Sequence, residues 1–320
     1  MIDEPPQVSL EAVRRAAAIL DGVAFRSPLV ASPTLADRLG VAVHLKCEQE
    51  QPVGAFKIRG AFTAISRLGS AERGAGVITY SSGNHGQAVA YAARRLGCRA
   101  VVVMPDHAPR VKVEGVERWG GEVVFGGATS TTRMDKARTM AAREGLTVIP
   151  PFDHPDIIAG QGTCTLEILE QCPACDTLLV PVGGGGLLAG ACTVIAALRP
   201  ETRVIAVEPA GAAKLSAALA AGRPVALQNA TSLADGLLPL AIGGLTFPII
   251  RPVLAGVIVV EDDRIAAAVK LLHGEGLRVE PSGAAAVAGL MSEDFEPRGA
   301  VAAILSGGNV DDELYRRLVG

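Results

Sequence analysis

The chain has 320 residues, of which 49% are hydrophobic and 20% charged, and its formal net charge is −3. This composition excludes a disordered protein, and the charge excludes a strongly basic surface for nucleic acid or an anionic membrane. The acidic start, Met1–Pro6, lacks the basic residues and apolar run of a signal peptide, and no apolar stretch reaches the roughly 18 residues of a membrane span. We therefore expect a cytoplasmic protein with two lobes or two domains.

Short apolar segments alternate with longer helical patterns along the chain. The predicted strands are Val43–Glu48, Val77–Tyr80, Ala100–Met104, Glu122–Phe125, Thr147–Pro150, Thr177–Val182, Arg203–Glu208, Gly256–Val260 and Ala300–Leu305. The predicted helices are Gly86–Leu96, Val111–Trp119, Asp156–Glu170, Leu187–Leu198, Asp262–Glu275 and Ser282–Met291. Because several strands are apolar on both faces, the pattern predicts an α/β fold with mostly parallel sheets covered by helices. There are too many strands for one modest sheet, so we expect two lobes.

A lysine follows the first predicted strand in an unusual setting. Gly54–Ala61 places Lys57 between Phe56 and Ile58, beside two glycines. A single lysine is most often an ordinary solvated residue. Apolar neighbours in a cleft, however, lower the pKa of an ammonium group, as a lysine that forms a Schiff base requires.

The loop Ser81–Gln87 lies between a predicted strand and an alanine-rich helix. Its hydroxyls, amide, imidazole and exposed N–H groups suit a carboxylate at a helix N-terminus. A polar N-cap is the alternative, but one serine would be enough for a cap.

Four glycines and Leu187 connect another predicted strand to its helix. The four glycines that open Gly183–Gly190 have no Cβ, so that backbone N–H groups can surround an anion, and phosphate is the expected ligand. A tight turn is the simpler alternative. The spacing Gly184-x-Gly186-x-x-Ala189, with Glu208 about 20 residues on, also fits a nicotinamide dinucleotide site.

The remaining motifs are individually weak. Cys172 and Cys175 form a single CxxC without a second ligand pair, so a zinc site is not expected. Ala234–Gly236, Glu280–Ala284 and Ser306–Asn309 could each be a simple turn.

Together these segments resemble the fold-type II pyridoxal 5′-phosphate (PLP) enzymes, a two-lobed fold like that of the tryptophan synthase β chain, and specifically the threonine dehydratase and serine racemase branch. The matching segments follow the family's order over nearly the whole chain: Ala55–Ala61, Ser81–Gln87, Ile158–Thr163, Gly183–Leu187, Ala234–Gly236, Glu280–Ala284 and Ser306–Asn309. The resemblance implies a large PLP-binding domain of residues 1–69 and 149–320, a small domain of residues 70–148, and a homodimer or larger homo-oligomer. It names a small amino acid as the substrate, with no nucleic-acid or membrane partner.

The resemblance also implies which residues bind PLP. Lys57 would carry the cofactor as a Schiff base and move the Cα proton of the substrate. The other expected cofactor contacts are Phe56 near the ring, Asn84 at the 3′-oxygen, the amides of Gly183, Gly184, Gly185, Gly186 and Leu187 at the phosphate, Ser306 at the pyridine nitrogen, and Gly236 and Glu280 beside the ring.

The substrate carboxylate would be held by Ser81, Ser82, Asn84 and His85, and Arg133 resembles an arginine that reaches the substrate in serine racemases. Ser82 also matches the second catalytic base of racemases, although dehydratases share it.

Two departures from the family pattern bear on function. Some relatives bind a divalent cation through a Glu, a backbone carbonyl and an Asp. Glu208 and Ala212 match, but Lys214 takes the Asp position and could pair with Glu208, so no metal is expected. The apolar loop Leu237–Leu240 favours a methyl or aromatic β-substituent over a second carboxylate.

The sequence therefore predicts a catabolic ammonia-lyase that eliminates water from L-threonine or L-serine and releases a 2-oxo acid and ammonia. A dehydratase for a bulkier substrate such as L-threo-phenylserine and a serine racemase are alternatives within the class. An NAD-dependent oxidoreductase is the alternative outside it.

Overall fold

The computed structural model describes residues 8–81, 83–108, 110–127 and 129–320. Within these ranges the strands are β1 (Leu29–Ala31), β2 (Val43–Cys47), β3 (Val77–Tyr80), β4 (Ala100–Met104), β5 (Glu122–Phe125), β6 (Thr147–Val148), β7 (Cys175–Pro181), β8 (Arg203–Pro209), β9 (Leu254–Val260) and β10 (Ala300–Leu305). The helices are α1 (Leu10–Leu20), α2 (Pro33–Leu39), α3 (Lys57–Ser66), α4 (Ser70–Ala75), α5 (Asn84–Arg95), α6 (Arg110–Arg118), α7 (Ser130–Glu144), α8 (Pro155–Gln171), α9 (Gly186–Leu198), α10 (Lys214–Ala221), α11 (Thr246–Ile250), α12 (Asp262–Gly274), α13 (Pro281–Leu290) and α14 (Asp312–Val319).

The larger sheet has the strand order β1-β2-β10-β7-β8-β9. Its pairs are parallel except β1 with β2, which is antiparallel. Side chains of β7 alternate between two cores: Leu178 and Val180 pack with α8 and α9, whereas Leu179 packs with α13. A strand that is apolar at every position is thus explained by burial on both faces.

The smaller sheet has the order β5-β4-β3-β6 and is parallel throughout. On one side of β4, Val102 packs with residues of α5 and α6, and on the other side Val101 packs with residues of α7. All four strands of this sheet lie between Val77 and Val148, within the predicted small domain of residues 70–148. The boundaries of the two domains stay a prediction.

The predicted α/β fold with mostly parallel sheets is confirmed. The predicted strands correspond to β2 through β10: the ends of β3, β4, β5 and β10 are as predicted, and those of the other five are shifted by one or two residues. Sequence reasoning missed β1, because three residues are too few to show an alternating pattern. In the described ranges no helix is long and apolar enough to cross a membrane.

Candidate active site

The loops predicted to carry chemistry begin at the carboxyl ends of parallel strands. Ser81–Gln87 follows β3, Gly183–Leu187 follows β7, and Ser306–Asn309 follows β10. In an open α/β sheet the carboxyl ends of parallel strands lie on one edge, which is where ligands bind. Asn309 donates to Asn84, which joins the loops after β10 and β3. The loop after β7 lies against Gly236, which donates to Ser282 beside Ser306.

Lys57 is the first residue of α3 and is partly buried. Its Nζ donates to the carbonyl of Pro151 at 2.7 Å and lies 5.1 Å from the ring centroid of Phe56. Burial lowers the pKa of Lys57 to about 8, so that a neutral amine is accessible near physiological pH. The amide of Phe56 donates to the carbonyl of Ser306 at 3.1 Å, which fixes the lysine beside the end of β10.

Three polar side chains from distant parts of the chain form one network. Asn84 Nδ2 donates to Glu280 Oε1 at 2.5 Å, and Asn309 Nδ2 donates to Asn84 Oδ1 at 2.8 Å. Burial and the charge of Asp235 raise the pKa of Glu280 to about 7, against the opposing effects of Lys112 and of the Asn84 hydrogen bond. Glu280 therefore changes its charge near neutral pH.

Ser306 and Gly236 meet at the start of α13. The Ser306 hydroxyl is buried and lies 3.5 Å from the carbonyl of Ser282, a neutral acceptor. The amide of Gly236 donates to Ser282 Oγ at 2.8 Å. Ser282 thus connects the two residues that were predicted to contact the ring, a role that sequence reasoning did not assign to it.

The glycine loop is shaped by its close approach to Phe152. A Cβ added at Gly184 would lie 2.2 Å from that ring, and Gly185 adopts φ +95°, a left-handed conformation that favours glycine. In the described ranges, no backbone carbonyl accepts a hydrogen bond from the amides of residues 183–187. Unpartnered amides at the N-terminus of α9 fit a phosphate group, as expected.

The loop Ser81–Gln87 is held by both backbone and side chains. The amide of Gly83 donates to Ser81 Oγ at 3.1 Å, and Nε2 of His85 lies 3.1 Å from the carbonyl of Ile149. Burial and the charge of Lys57 lower the pKa of His85 to about 3, with the Ile149 hydrogen bond opposing them. The imidazole is therefore neutral, and Nε2 carries the proton because a carbonyl can only accept.

The roles predicted for Ser82 and Arg133 stay predictions. Ser82 lies outside the described residues. Arg133 is on α7, where it is buried and donates to the carbonyl of Gly127 at 3.3 Å. Its contact with a substrate stays a prediction.

The segment after β6 also contributes to the site, although sequence reasoning did not single it out. Pro151 accepts the hydrogen bond of Lys57, and Phe152 packs against the glycine loop. Asp153 accepts hydrogen bonds from the amides of Gly244 and Leu245. The signal was available, because this segment also follows the carboxyl end of a parallel strand.

An ion pair connects α6 to the turn that carries Gly236. The ammonium of Lys112 donates to the carboxylate of Asp235, and a Cβ added at Gly83 would lie 3.2 Å from Cδ of Lys112. The lysine side chain thus lies along the loop predicted to hold the substrate carboxylate.

Glu208 has partners that disfavour the nicotinamide alternative. Its buried carboxylate accepts hydrogen bonds from the amides of Leu215 at 2.9 Å and Ser216 at 2.8 Å. It therefore caps the first amides of α10 and is not directed at a ribose. Lys214, which could have paired with Glu208, donates to two backbone carbonyls.

Comparisons with known proteins point to one family. A family model described as pyridoxal-phosphate dependent enzyme matches residues 20–307. The biosynthetic L-threonine dehydratase of Pasteurella multocida is 42% identical over 92% of this chain, which spans 58% of that relative. The L-threo-3-hydroxyaspartate ammonia-lyase of a Pseudomonas species is 40% identical over 96% of this chain and 97% of its own. The structure of maize serine racemase matches with a TM-score of 0.93 and 36% identity, covering 97% of this chain and 96% of that one.

Proposed function

Because the chain belongs to the pyridoxal-phosphate dependent enzyme family, we propose that it is an ammonia-lyase that removes water from a β-hydroxy amino acid of the L-threonine or L-serine type. The products are a 2-oxo acid and ammonia. One observation carries the proposal: Lys57, with its pKa lowered to about 8, lies between the segment after β6, where it donates to the carbonyl of Pro151, and the end of β10, where the amide of Phe56 donates to Ser306.

The residues of the site fit PLP. The unpartnered amides of Gly183–Leu187 would hold its phosphate, Asn84 its 3′-oxygen and Ser306 its pyridine nitrogen. Phe56, Gly236 and Glu280 would line the ring. When bound, PLP supplies an electron sink for the electrons left on Cα when its proton is removed.

The protein's own groups then direct the reaction. The neutral amine of Lys57 takes the Cα proton, and the carbonyl of Pro151 orients this amine. Ser306 is neutral, so it does not hold the pyridine nitrogen protonated as a carboxylate would. This arrangement favours departure of the β-hydroxyl group over return of the proton.

The substrate side of the site favours a neutral β-substituent. The loop containing Ser81 and His85 would hold the substrate carboxylate at the N-terminus of α5. Leu237–Leu240 is apolar. A second carboxylate on the substrate would lose its hydration beside this loop without gaining a hydrogen-bond donor from its side chains, although a relative is named for hydroxyaspartate.

Release of 2-oxo acid tests the proposal directly. The holoenzyme is assayed with L-threonine, L-serine, L-threo-phenylserine and L-threo-3-hydroxyaspartate, and we expect product from threonine or phenylserine at higher kcat/KM than from hydroxyaspartate. Lys57→Ala should abolish turnover, whereas Lys270→Ala, at an exposed lysine of α12, should not. Faster turnover of hydroxyaspartate would contradict the assigned substrate class.

Serine racemase is the second candidate, and the similarity to the maize enzyme favours it. Chiral analysis of serine after incubation with the holoenzyme distinguishes the two reactions. Formation of D-serine without 2-oxo acid would replace the lyase proposal with the racemase.

A further inference from the structure

Lys214 is a fully buried charged residue that the proposed reaction does not use. Its side chain has 0% exposure, and its ammonium donates to the carbonyls of Ala212 at 2.7 Å and Leu237 at 2.8 Å. A buried ammonium is tolerated only where hydrogen bonds and a nearby negative charge offset its lost hydration. The Glu208 carboxylate supplies that charge from within the same cluster.

The two carbonyls come from separate short 3-10 turns. Ala210–Ala212 follows β8, and Asp235–Leu237 lies in the long connection between α10 and α11. The ammonium of Lys214 therefore fastens the second turn to the end of the larger sheet. No hydrocarbon side chain could replace it without leaving two buried carbonyls unpaired.

The turn Asp235–Leu237, which Lys214 holds, lies against the phosphate loop Gly183–Leu187. Its central residue, Gly236, donates to Ser282 at 2.8 Å, and the carbonyl of Gly236 would lie 3.2 Å from a Cβ added at Gly183. A shift of Leu237 would move Gly236, which abuts the first glycine of the loop. The position of the loop amides thus depends on the ammonium group.

We propose that Lys214 is a positioning residue that acts as a built-in cation. It fixes the Gly236 turn against the phosphate loop, so the protein needs no dissociable cation at this place. The inference rests on the proposed function only in assigning the glycine loop to the phosphate of PLP.

Replacing the ammonium tests the positioning role. Lys214→Met keeps an unbranched side chain, one atom shorter than lysine, and removes the charge. We expect PLP affinity, measured by absorbance titration of the apoprotein, to fall at least about tenfold, because two buried carbonyls lose their donor. A merely structural role would lower the melting temperature and leave PLP affinity unchanged, and that result would overturn the proposal.

Exchanging the built-in cation for a dissociable one is the sharper test. In Lys214→Asp, a new carboxylate joins the Glu208 carboxylate and the carbonyls of Ala212 and Leu237, and these oxygen ligands suit Mg²⁺. We expect Mg²⁺ at millimolar concentration to raise the melting temperature and PLP affinity of this variant. Lys214→Asn, which has the same shape without the charge, should not respond, and neither should the wild type.

Two further results would contradict the proposal that Lys214 takes the place of a dissociable cation. A wild-type protein whose PLP affinity depends on Mg²⁺, or a Lys214→Asp protein that Mg²⁺ neither stabilises nor restores, contradicts the built-in cation. Because absorbance and melting temperature require no turnover, these results are independent of whether threonine is the substrate.

Discussion

The two loops predicted to bind anions have the same backbone arrangement but differ in construction. Each leads from a parallel strand to the N-terminus of a helix, Ser81–Gln87 in the smaller sheet and Gly183–Leu187 in the larger. The first loop is rich in polar side chains. The second presents only backbone, and Phe152 packs tightly against it.

This difference in construction suits a glycine loop whose ligand stays bound and a polar loop whose ligand exchanges. A glycine loop pressed against an aromatic ring has one conformation, which suits a cofactor that stays bound. The loop Ser81–Gln87 depends on contacts from other elements, such as Asn84 with Glu280, and Lys112 lies along it. Such contacts can adjust when a substrate enters and leaves.

The largest effect is expected from filling the glycine loop. Gly184→Val places a side chain where the Phe152 ring lies, so the loop must move and lose its phosphate geometry. We expect PLP affinity to fall at least about 100-fold by absorbance titration. Gly74→Ala, in α4 with open space around it, is the control and should bind PLP normally. Normal PLP affinity in the valine variant would mean that the loop is not the phosphate site.

Lys57 donates to Pro151, next to the Phe152 that packs on the glycine loop, and its pKa of about 8 predicts how PLP is captured. Only the neutral amine attacks the aldehyde, so the rate of covalent capture should rise about tenfold per pH unit below pH 8 and level off above it. Stopped-flow absorbance of the apoprotein with PLP measures this rate. Glu280 also titrates near pH 7, so Glu280→Gln is the control. If Lys57 sets the pH dependence, this variant should keep the wild-type profile. A rate of covalent capture that is constant from pH 6 to 8 would show that Lys57 does not rest as an ammonium in this range.

Glu280 links the substrate loop to the larger sheet, and its raised pKa predicts a pH-dependent stability. The carboxyl group of Glu280 has a pKa of about 7 in the folded protein and near 4.5 in the unfolded chain. It therefore stabilises the folded state below pH 4.5, and this contribution is lost as the pH rises through 7. The stability advantage of Glu280→Gln over wild-type apoprotein should therefore grow by about 1–3 kcal/mol from pH 5 to pH 8. Urea unfolding at both pH values measures it, with Glu50→Gln as an exposed control. An equal difference at both values would show that Glu280 does not titrate in this range.

The smallest effect is expected from the ion pair beside the substrate loop. Lys112→Gln removes the contact with Asp235, which is 44% exposed, so the substrate KM should rise only about two- to fivefold. PLP affinity should not change, because the turn beside the phosphate loop keeps its hydrogen bonds to Lys214 and Ser282. Arg110→Gln, which breaks an exposed pair with Glu114 on the same helix, is the matched control. If PLP affinity fell together with substrate affinity, the two loops would not be independent.

The parallel strands and their loops were predictable because the information is local. The apolar runs of β4 and β7 indicate burial on both faces, and each precedes a turn into a helix. The glycine run is likewise recognisable without any neighbour. The edge strand β1 was not predictable, because it depends on pairing with β2 rather than on its own pattern.

The contacts between loops could not be read from the sequence. Asn84 and Glu280 are 196 residues apart, and Lys57 and Pro151 are 94 apart. Their meeting depends on β10 lying between β2 and β7, and on the packing of α5 against α3. No local pattern encodes a strand order.

The sequence by itself determined which backbone segments can bind anions, because glycine runs and helix starts are local chemistry. Tertiary structure alone decided the charges at the site. Lys57 approaches neutrality, Glu280 titrates near pH 7, and Lys214 lies between two carbonyls. The physical reason is that hydration, which sets a pKa, is removed by whatever packs around a group, and those neighbours come from the whole chain.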